Sequence, residues 1–143
     1  MTSIAHEFQD PSPEDLRRVA EYVPRLTDPE LVIGVVQGGE HDSETGAIQY
    51  PWVAYAHVVR DWMQALYDHN VVTGYGEEGW QDEMNVFLAD PTQLAAADLL
   101  TIRKVLTTIV REERFCDGAI MSAFERGSVQ AAMVRLAELA SNG

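Results

Sequence analysis

The segment from Ala56 to His69 constrains the fold most, because its apolar residues recur at the spacing of one face of an α-helix. That face carries Val58, Val59, Trp62, Met63, Leu66 and Tyr67, separated by three or four residues. A half-buried strand would need strict alternation instead. Asn70 follows as a typical helix terminator. The segment therefore predicts an amphipathic helix that must bury one face against the rest of the chain.

Several other segments combine helical periodicity with residues that start or stop helices. Ser12 with Pro13, Glu14 and Asp15 is typical of a helix start, and Pro24 is expected to end that helix or to lie just beyond its end. Further helices are predicted at residues 80–89, from Asp98 to near Arg114, from Asp117 or Gly118 to Gly127, and from Ser128 as N-cap to the C-terminal residues.

The region between residues 27 and 55 is less decided. Thr27 to Glu30 has the pattern of a capping box, whereas the β-branched, glycine-containing run at residues 31–37 favours a strand, so both structures remain open for it. The fold class we predict is all-α, a single compact domain of about five to six helices over residues 12–143. A flexible tail at residues 1–11 precedes it, and a short hairpin near residues 31–50 is the open addition.

The charge and composition exclude several classes of protein. The net charge is −13, and residues 1–97 hold seventeen acidic side chains against four arginines. Such a surface repels phosphate backbones, which disfavours non-specific nucleic-acid binding. No apolar run approaches the roughly 18 residues of a membrane span, and no signal peptide is visible. With one cysteine, Cys116, no internal disulfide can form, and a cytoplasmic location is predicted.

The stretch LTTIVREERFCDG, from Leu106 to Gly118, concentrates charged side chains and the cysteine at a predicted helix end. Arg111 and Arg114 are three residues apart and would share a face of the last turn, where cations stabilise the helix. Asp117 could cap the next helix. Alternatively, the arginines could bind a carboxylate or phosphate, and Cys116 beside them could have a lowered pKa.

The same stretch carries a family resemblance. It has the form LTT-x-x-R-x-[DE]-R-F-C-[DE]-G, and is followed by Gly127, Val129, Arg135 and Leu136; YPWVAY at residues 50–55, ALYDHNVV and Trp80 with Glu83 extend the pattern over roughly residues 50–137. These residues resemble a family of small, mainly bacterial proteins known only as a domain of unknown function. Members often have Asp-Trp where this chain has Gly79 before Trp80. The resemblance implies no particular activity.

The hypothesis that follows is a small cytoplasmic binding or regulatory module that contacts another protein, with a homo-oligomer as a further option. Its contact residues would be Arg111, Arg114, Cys116 and Asp117, called the Arg corner below, together with the aromatic segment at residues 50–80. In that segment Trp80 and Glu83 are the candidate binding residues.

Two alternatives remain. Residues 117–140 could form a nucleic-acid-binding helix-turn-helix, with glycine at the turn. An enzyme of unrecognised class could use Cys116 or the region of Trp80 and Glu83, although catalysis is the less favoured reading. No cofactor or metal is expected, because the sequence lacks nucleotide-binding motifs and His57 with Asp61 supplies only two ligands.

Overall fold

The computed structural model describes residues 10–38, 44–46, 52–72, 80–113 and 118–142. Their elements, in chain order, are α1 (Pro13–Ala20), α2 (Val23–Leu26), β1 (Gly34–Gln37), β2 (Trp52–Tyr55), α3 (His57–Asp68), α4 (Trp80–Ala89), a 3₁₀ helix (Pro91–Ala96), α5 (Leu99–Glu113), α6 (Ala119–Arg126) and α7 (Ser128–Asn142). A mainly helical chain with one two-stranded antiparallel sheet confirms the predicted fold class.

The C-terminal helix α7 lies at the centre of the fold. It packs against α1, α2, the 3₁₀ helix, α5 and α6. Its buried apolar residues are Val129, Ala132, Met133, Leu136 and Ala140. The indole Nε1 of Trp62 donates to Sδ of Met133 at 3.2 Å, and the Trp62 ring meets Phe124 edge-on at 5.9 Å between centroids. On the apolar face predicted for residues 56–69, Trp62 is therefore buried against α6 and α7. Val59 and Leu66 are buried as well, whereas Tyr67 of the same face is exposed.

Local signals placed several helix ends correctly. At α1, the Asp15 amide donates to Oγ of Ser12, and the Ser12 amide donates to the Asp15 carboxylate. At α5, the Thr101 amide donates to the Asp98 carboxylate at 2.8 Å. Gly127 ends α6 in the left-handed conformation, with φ of 84°. These contacts satisfy amides and carbonyls that the helix itself leaves unpaired.

Pro24 lies beyond the end of α1, in the first turn of α2, where a residue needs no amide donor. Two predicted helix starts are wrong. Thr27 ends α2: its amide and Oγ1 both donate to the Val23 carbonyl, so residues 27–30 are not a capping box. Ser128 is the first residue of α7, not its N-cap, and its Oγ is buried without a partner in the described part of the chain.

The open question for residues 31–37 is resolved as a strand. β1 pairs with β2 in the register Gly34 to Tyr55 and Gln37 to Trp52, and the Ala56 amide extends the ladder by donating to the Ile33 carbonyl. The second strand of the hairpin, β2, therefore lies just beyond the interval predicted for the hairpin, residues 31–50. Gly34 is required by close packing, because a Cβ there would lie 2.9 Å from the Ala54 carbonyl oxygen.

Candidate protein-binding surface

Glu113, the last residue of α5, organises the start of α6. Its carboxylate accepts hydrogen bonds from the amides of Gly118 at 3.1 Å and Ile120 at 3.0 Å. The Tyr55 hydroxyl donates to the same carboxylate at 2.6 Å and accepts from the Met121 amide at 3.2 Å. A side chain from α5 and one from β2 together cap the amides that α6 leaves unpaired.

This hydrogen-bond network fastens the hairpin to the corner between α5 and α6. The contact is close along β2 as well, since a Cβ placed on Gly118 would lie 3.6 Å from Cγ2 of Val53. Two regions that the sequence singled out, the segment around Tyr55 and the end of α5, are thus neighbours. Sequence reasoning missed Glu113 as the link, because its partners in the chain lie five to 58 residues away.

The Arg corner is only partly covered by the described residues. Arg111 lies in the last turn of α5 with an exposed side chain, and no described residue forms an ion pair with it. Because two residues subtend about 200° on an α-helix, Arg111 points to a different side of α5 from Glu113. Arg114, Cys116 and Asp117 lie outside the described residues, and so does the predicted Asp117 cap.

The other two predicted binding residues lie on α4. Trp80 is its first residue, and its side chain is outside the described part of the structure. Glu83 is exposed, and no hydrogen bond or ion pair among the described residues joins it to Arg111. Because α4 packs against α5, Glu83 and Arg111 lie on neighbouring helices.

The hairpin carries the clearest exposed apolar surface. Four large hydrophobic side chains are exposed there, namely Val32 at 65%, Val35 at 55%, Val36 at 61% and Trp52 at 44% of their full area. We call these four residues the hairpin patch. The other exposed large hydrophobics are spread over four helices as Tyr67, Val86, Leu100 and Val134. Clustering on one short sheet sets the hairpin patch apart, because scattered apolar residues are normal on protein surfaces.

Arg103 is a second residue that sequence reasoning missed. Its side chain is 3% exposed, and its guanidinium donates to the carbonyls of Val71 at 3.2 Å and Asn70 at 3.1 Å. It also pairs with Asp10 at 2.7 Å. One feature of the sequence could have indicated its burial. Arg103 precedes the apolar Leu106 by three residues, so the two side chains share a face of the predicted helix. Its partners show that it ties the end of α3 and the N-terminal segment to α5.

The carboxylates with shifted pKa values serve helix starts and surface ion pairs. The Ser12 amide, followed by His69, lowers the pKa of Asp15. The Thr92 hydroxyl lowers the pKa of Asp90, and hydrogen bonds from Thr101 lower the pKa of Asp98. A carboxyl group with a lowered pKa stays ionised at neutral pH, so these residues are poorly suited to act as general acids.

His57 and Asp61 pair at 3.1 Å on the surface, but among the described residues no three His, Cys, Asp or Glu side chains are grouped for a metal ion. A largely apolar groove of about 330 Å³ lies between the 3₁₀ helix and α7. Arg135, at its wall, donates to the Ala97 carbonyl and pairs with Glu138.

The described helices do not reach the combination of length and hydropathy needed to cross a membrane. Residues 11–142 match the model of a family of unknown function, DUF6508, and the chain therefore belongs to that family. No curated protein and no solved structure matches the chain. The resemblance inferred from the sequence is thus confirmed as membership of a family of unknown function.

Proposed function

We propose that this member of the DUF6508 family acts by binding another protein, through the hairpin patch and the exposed Arg111 at the end of α5. The single cysteine supports a cytoplasmic location, and the likeness of residues 106–118 to mainly bacterial proteins supports a bacterial source. Arg114, Cys116, Asp117, Trp80 and Glu83 remain candidate contributors to the same function.

The observation that carries this proposal is the concentration of exposed apolar side chains on the hairpin. Val35 and Trp52 lie on one face of the sheet and Val36 on the other, so both faces of the hairpin expose apolar area. Exposed apolar area concentrated on one element is unfavourable in water and marks an interaction site in many proteins. The Tyr55 and Glu113 network holds the hairpin against α5 and α6. A surface fixed before binding loses less conformational entropy on association, which favours affinity.

Arg111 places an exposed positive charge on a protein whose net charge is −13. Its side chain is exposed, and arginine is enriched at protein interfaces because its guanidinium can form paired hydrogen bonds with carboxylates. Arg111 lies in the last turn of α5, as Glu113 does, but points to another side of that helix, so it would extend the binding surface around the end of α5.

The proposal can be tested by affinity capture from a lysate of the source organism. Wild-type protein, Trp52→Ser, Val35→Ser and Arg111→Glu would be compared with Arg126→Glu, which reverses an exposed arginine on α6. We expect a protein retained by the wild type and by Arg126→Glu to be lost with the Trp52 and Val35 variants, and weakened with Arg111→Glu. Circular dichroism and thermal unfolding would verify that each variant folds.

The outcome that contradicts the proposal is an identical set of retained proteins for the wild type and all folded variants. If a patch variant unfolds, charge-adding changes at the same surface, such as Val35→Lys, provide a second test. Reversal of both Arg111 and Arg114 tests the Arg corner separately. Loss of folding in that double variant would assign the arginines to stability.

The arrangement of α7 does not favour the nucleic-acid alternative. A recognition helix needs an outer face of polar and basic residues that can enter a groove. In α7 the exposed described residues are Val134, Glu138 and Ser141, while five other elements pack around the helix. A direct check is DNA and RNA binding at low salt, where a basic reading surface would give salt-dependent affinity.

A further inference from the structure

The outer edge of β1, the side that faces away from β2, has backbone groups that are unpaired within the described part of the structure. The hydrogen-bonding pattern of the hairpin shows which residues they belong to. In an antiparallel ladder, residues alternate between pointing their N–H and C=O groups at the partner strand and away from it. The bond from the Ala56 amide to the Ile33 carbonyl fixes that phase. Val35 and Gln37 therefore bond to β2, whereas Gly34 and Val36 direct their backbone groups outward.

The outward groups of β1 have no partner among the described residues, where no backbone bond beyond the hairpin ladder involves Gly34 or Val36. The opposite edge differs, because Val53 and Tyr55 of β2 have further interaction partners. The sheet thus has one engaged edge and one open edge. The open edge presents the donors and acceptors of two residues in extended conformation.

Apart from its short length of four residues, the open edge lacks the features that normally prevent strand pairing. Edge strands are commonly protected by lysine, proline, a bulge or a covering element. β1 has the sequence GVVQ, contains no charge or proline, and pairs with β2 in continuous register. Val35 and Val36 are exposed on its two faces, so an added strand would bury apolar area on both sides.

The charges around β1 identify the kind of strand that fits. Asp28 and Glu30 precede the strand in the sequence and Glu44 follows it, and all three side chains are exposed. An antiparallel β1–β1 pairing of two copies would bring one acidic end towards the other. Each copy also carries a net charge of −13. Like charges at both ends disfavour a second copy and favour a partner with cationic ends.

We propose that β1 binds an extended segment of a partner protein by strand addition, and that this segment is apolar in its middle with lysine or arginine at both ends. The inference rests on the proposed function, since it specifies the partner's structure at the hairpin. The backbone groups of Gly34 and Val36 supply affinity, and Val35 and Val36 contact the partner's side chains. The acidic flanks of β1 contact its cationic ends.

The first test uses a synthetic peptide of alternating valine and threonine with two lysines at each end, and amide hydrogen exchange measured by NMR. We expect millimolar peptide to slow exchange at Gly34 and Val36 by at least about tenfold, and to change Val35 and Gln37 less, because their amides already bond to β2. A peptide with glutamates at both ends, and one with N-methylated backbone amides, should fail to protect these residues.

A matched pair of variants separates strand addition from other uses of the patch. Val36→Pro removes an outward amide and leaves the β1–β2 bonds in place, since proline is tolerated at such edge positions. Val36→Thr keeps the amide and the strand preference. Protection by the peptide should persist in Val36→Thr and disappear in Val36→Pro. Exchange at Val35 and Gln37 reports whether the hairpin itself remains formed.

Three results would overturn the inference. One is the absence of protection at Gly34 and Val36 at millimolar peptide, and another is protection confined to other residues. The third is a dimer in sedimentation analysis that Val36→Pro abolishes, because β1 would then pair with a second copy. In the affinity capture, a partner lost with Trp52→Ser but kept by Val36→Pro would sustain the proposed function while rejecting strand addition.

Discussion

At the scale of single residues, Arg103 shows how a buried charge can hold distant segments together. A buried guanidinium is costly unless its donors are satisfied. Arg103 satisfies them with the carbonyls of Asn70 and Val71 and with Asp10. Asn70 adopts φ of 62°, the left-handed conformation that ends α3. Arg103 therefore stabilises the end of α3 by donating to carbonyl groups that follow the helix and have no helical N–H partner.

Replacing Arg103 by methionine should lower the free energy of unfolding by about 2–5 kcal/mol, because two buried carbonyls would lose their donors. Urea unfolding followed by circular dichroism measures this change. Asp10→Asn is the matched control, and we expect less than about 1 kcal/mol because the Asp10 side chain is 84% exposed. Equal losses in the two variants would mean that the ion pair, not the carbonyl contacts, provides the stability.

Tyr55 and Glu113 should be energetically coupled. Tyr55→Phe and Glu113→Gln each remove hydrogen bonds at the start of α6 and should each cost about 1–2 kcal/mol. Because the two side chains bond to each other, the double variant should lose about 1 kcal/mol less than the sum. Glu112→Gln, on the exposed side of α5, should change stability by less than about 0.5 kcal/mol. Strict additivity in chemical denaturation would contradict the network.

At the scale of elements, apolar periodicity and capping residues were sufficient to predict the bounds of a helix where they allowed only one interpretation. α3, α4, α5 and α6 lie within a residue or two of their predicted bounds, since each combines an apolar face with clear terminators. The capping box predicted for Thr27–Glu30 is wrong because the same residue types can also end one helix and begin a turn. Here the Thr27 hydroxyl donates to the Val23 carbonyl of the preceding helix. Only the tertiary structure decides between these partners.

The start of α1 should respond to acid in a predictable direction. Asp15 has a lowered pKa, mainly through the Ser12 amide and then His69, so its contribution to stability is present above the usual aspartate pKa of 3.8. That contribution should disappear as the pH falls through the lower folded-state pKa. Asp15→Asn should therefore be less stable than the wild type at pH 6, with the difference narrowing below pH 4.

Ser12→Ala provides the control for the acid experiment. It removes the Oγ that accepts the Asp15 amide and leaves the Ser12 amide in place to donate to the carboxylate. Its destabilisation, about 1 kcal/mol for an N-cap serine, should vary less with pH in the acid range. Thermal unfolding between pH 2 and 6 would compare the variants. An Asp15→Asn difference that stays constant with pH would contradict the assignment.

At the scale of the whole molecule, the candidate surface depends on contacts that no local pattern could reveal. The sequence singled out Arg111 and the aromatic segment separately, and the structure joins their neighbourhoods through Glu113 and Tyr55, 58 residues apart. The hairpin patch arises from pairing across residues 38–51. Burial also depends on the full fold, so the exposure of Val35 and Val36 could not be inferred from their apolar character.

The overall charge predicts opposite salt effects on folding and on partner binding. Residues 1–97 carry the whole net charge of −13, and mutual repulsion among these acids should destabilise the compact state. Raising NaCl from about 0.01 to 0.5 M screens this repulsion and should increase stability by about 1 kcal/mol, a rise of roughly 3–5 °C in the unfolding temperature. Binding of the lysine-flanked peptide to β1 should weaken over the same range.

Calorimetry can measure both effects on the same samples. Glu21→Gln with Glu125→Gln removes two exposed acids outside the segments that flank β1 in the sequence, so the double variant should show a smaller salt-induced rise in unfolding temperature. Its affinity for the peptide should change little, because the acids beside β1 are intact. A fall in unfolding temperature with salt would mean that ion pairs such as Glu14 with Arg17 and Arg18 outweigh the repulsion. If the affinity for the peptide does not change with salt, the acidic residues that flank β1 do not contribute to recognition.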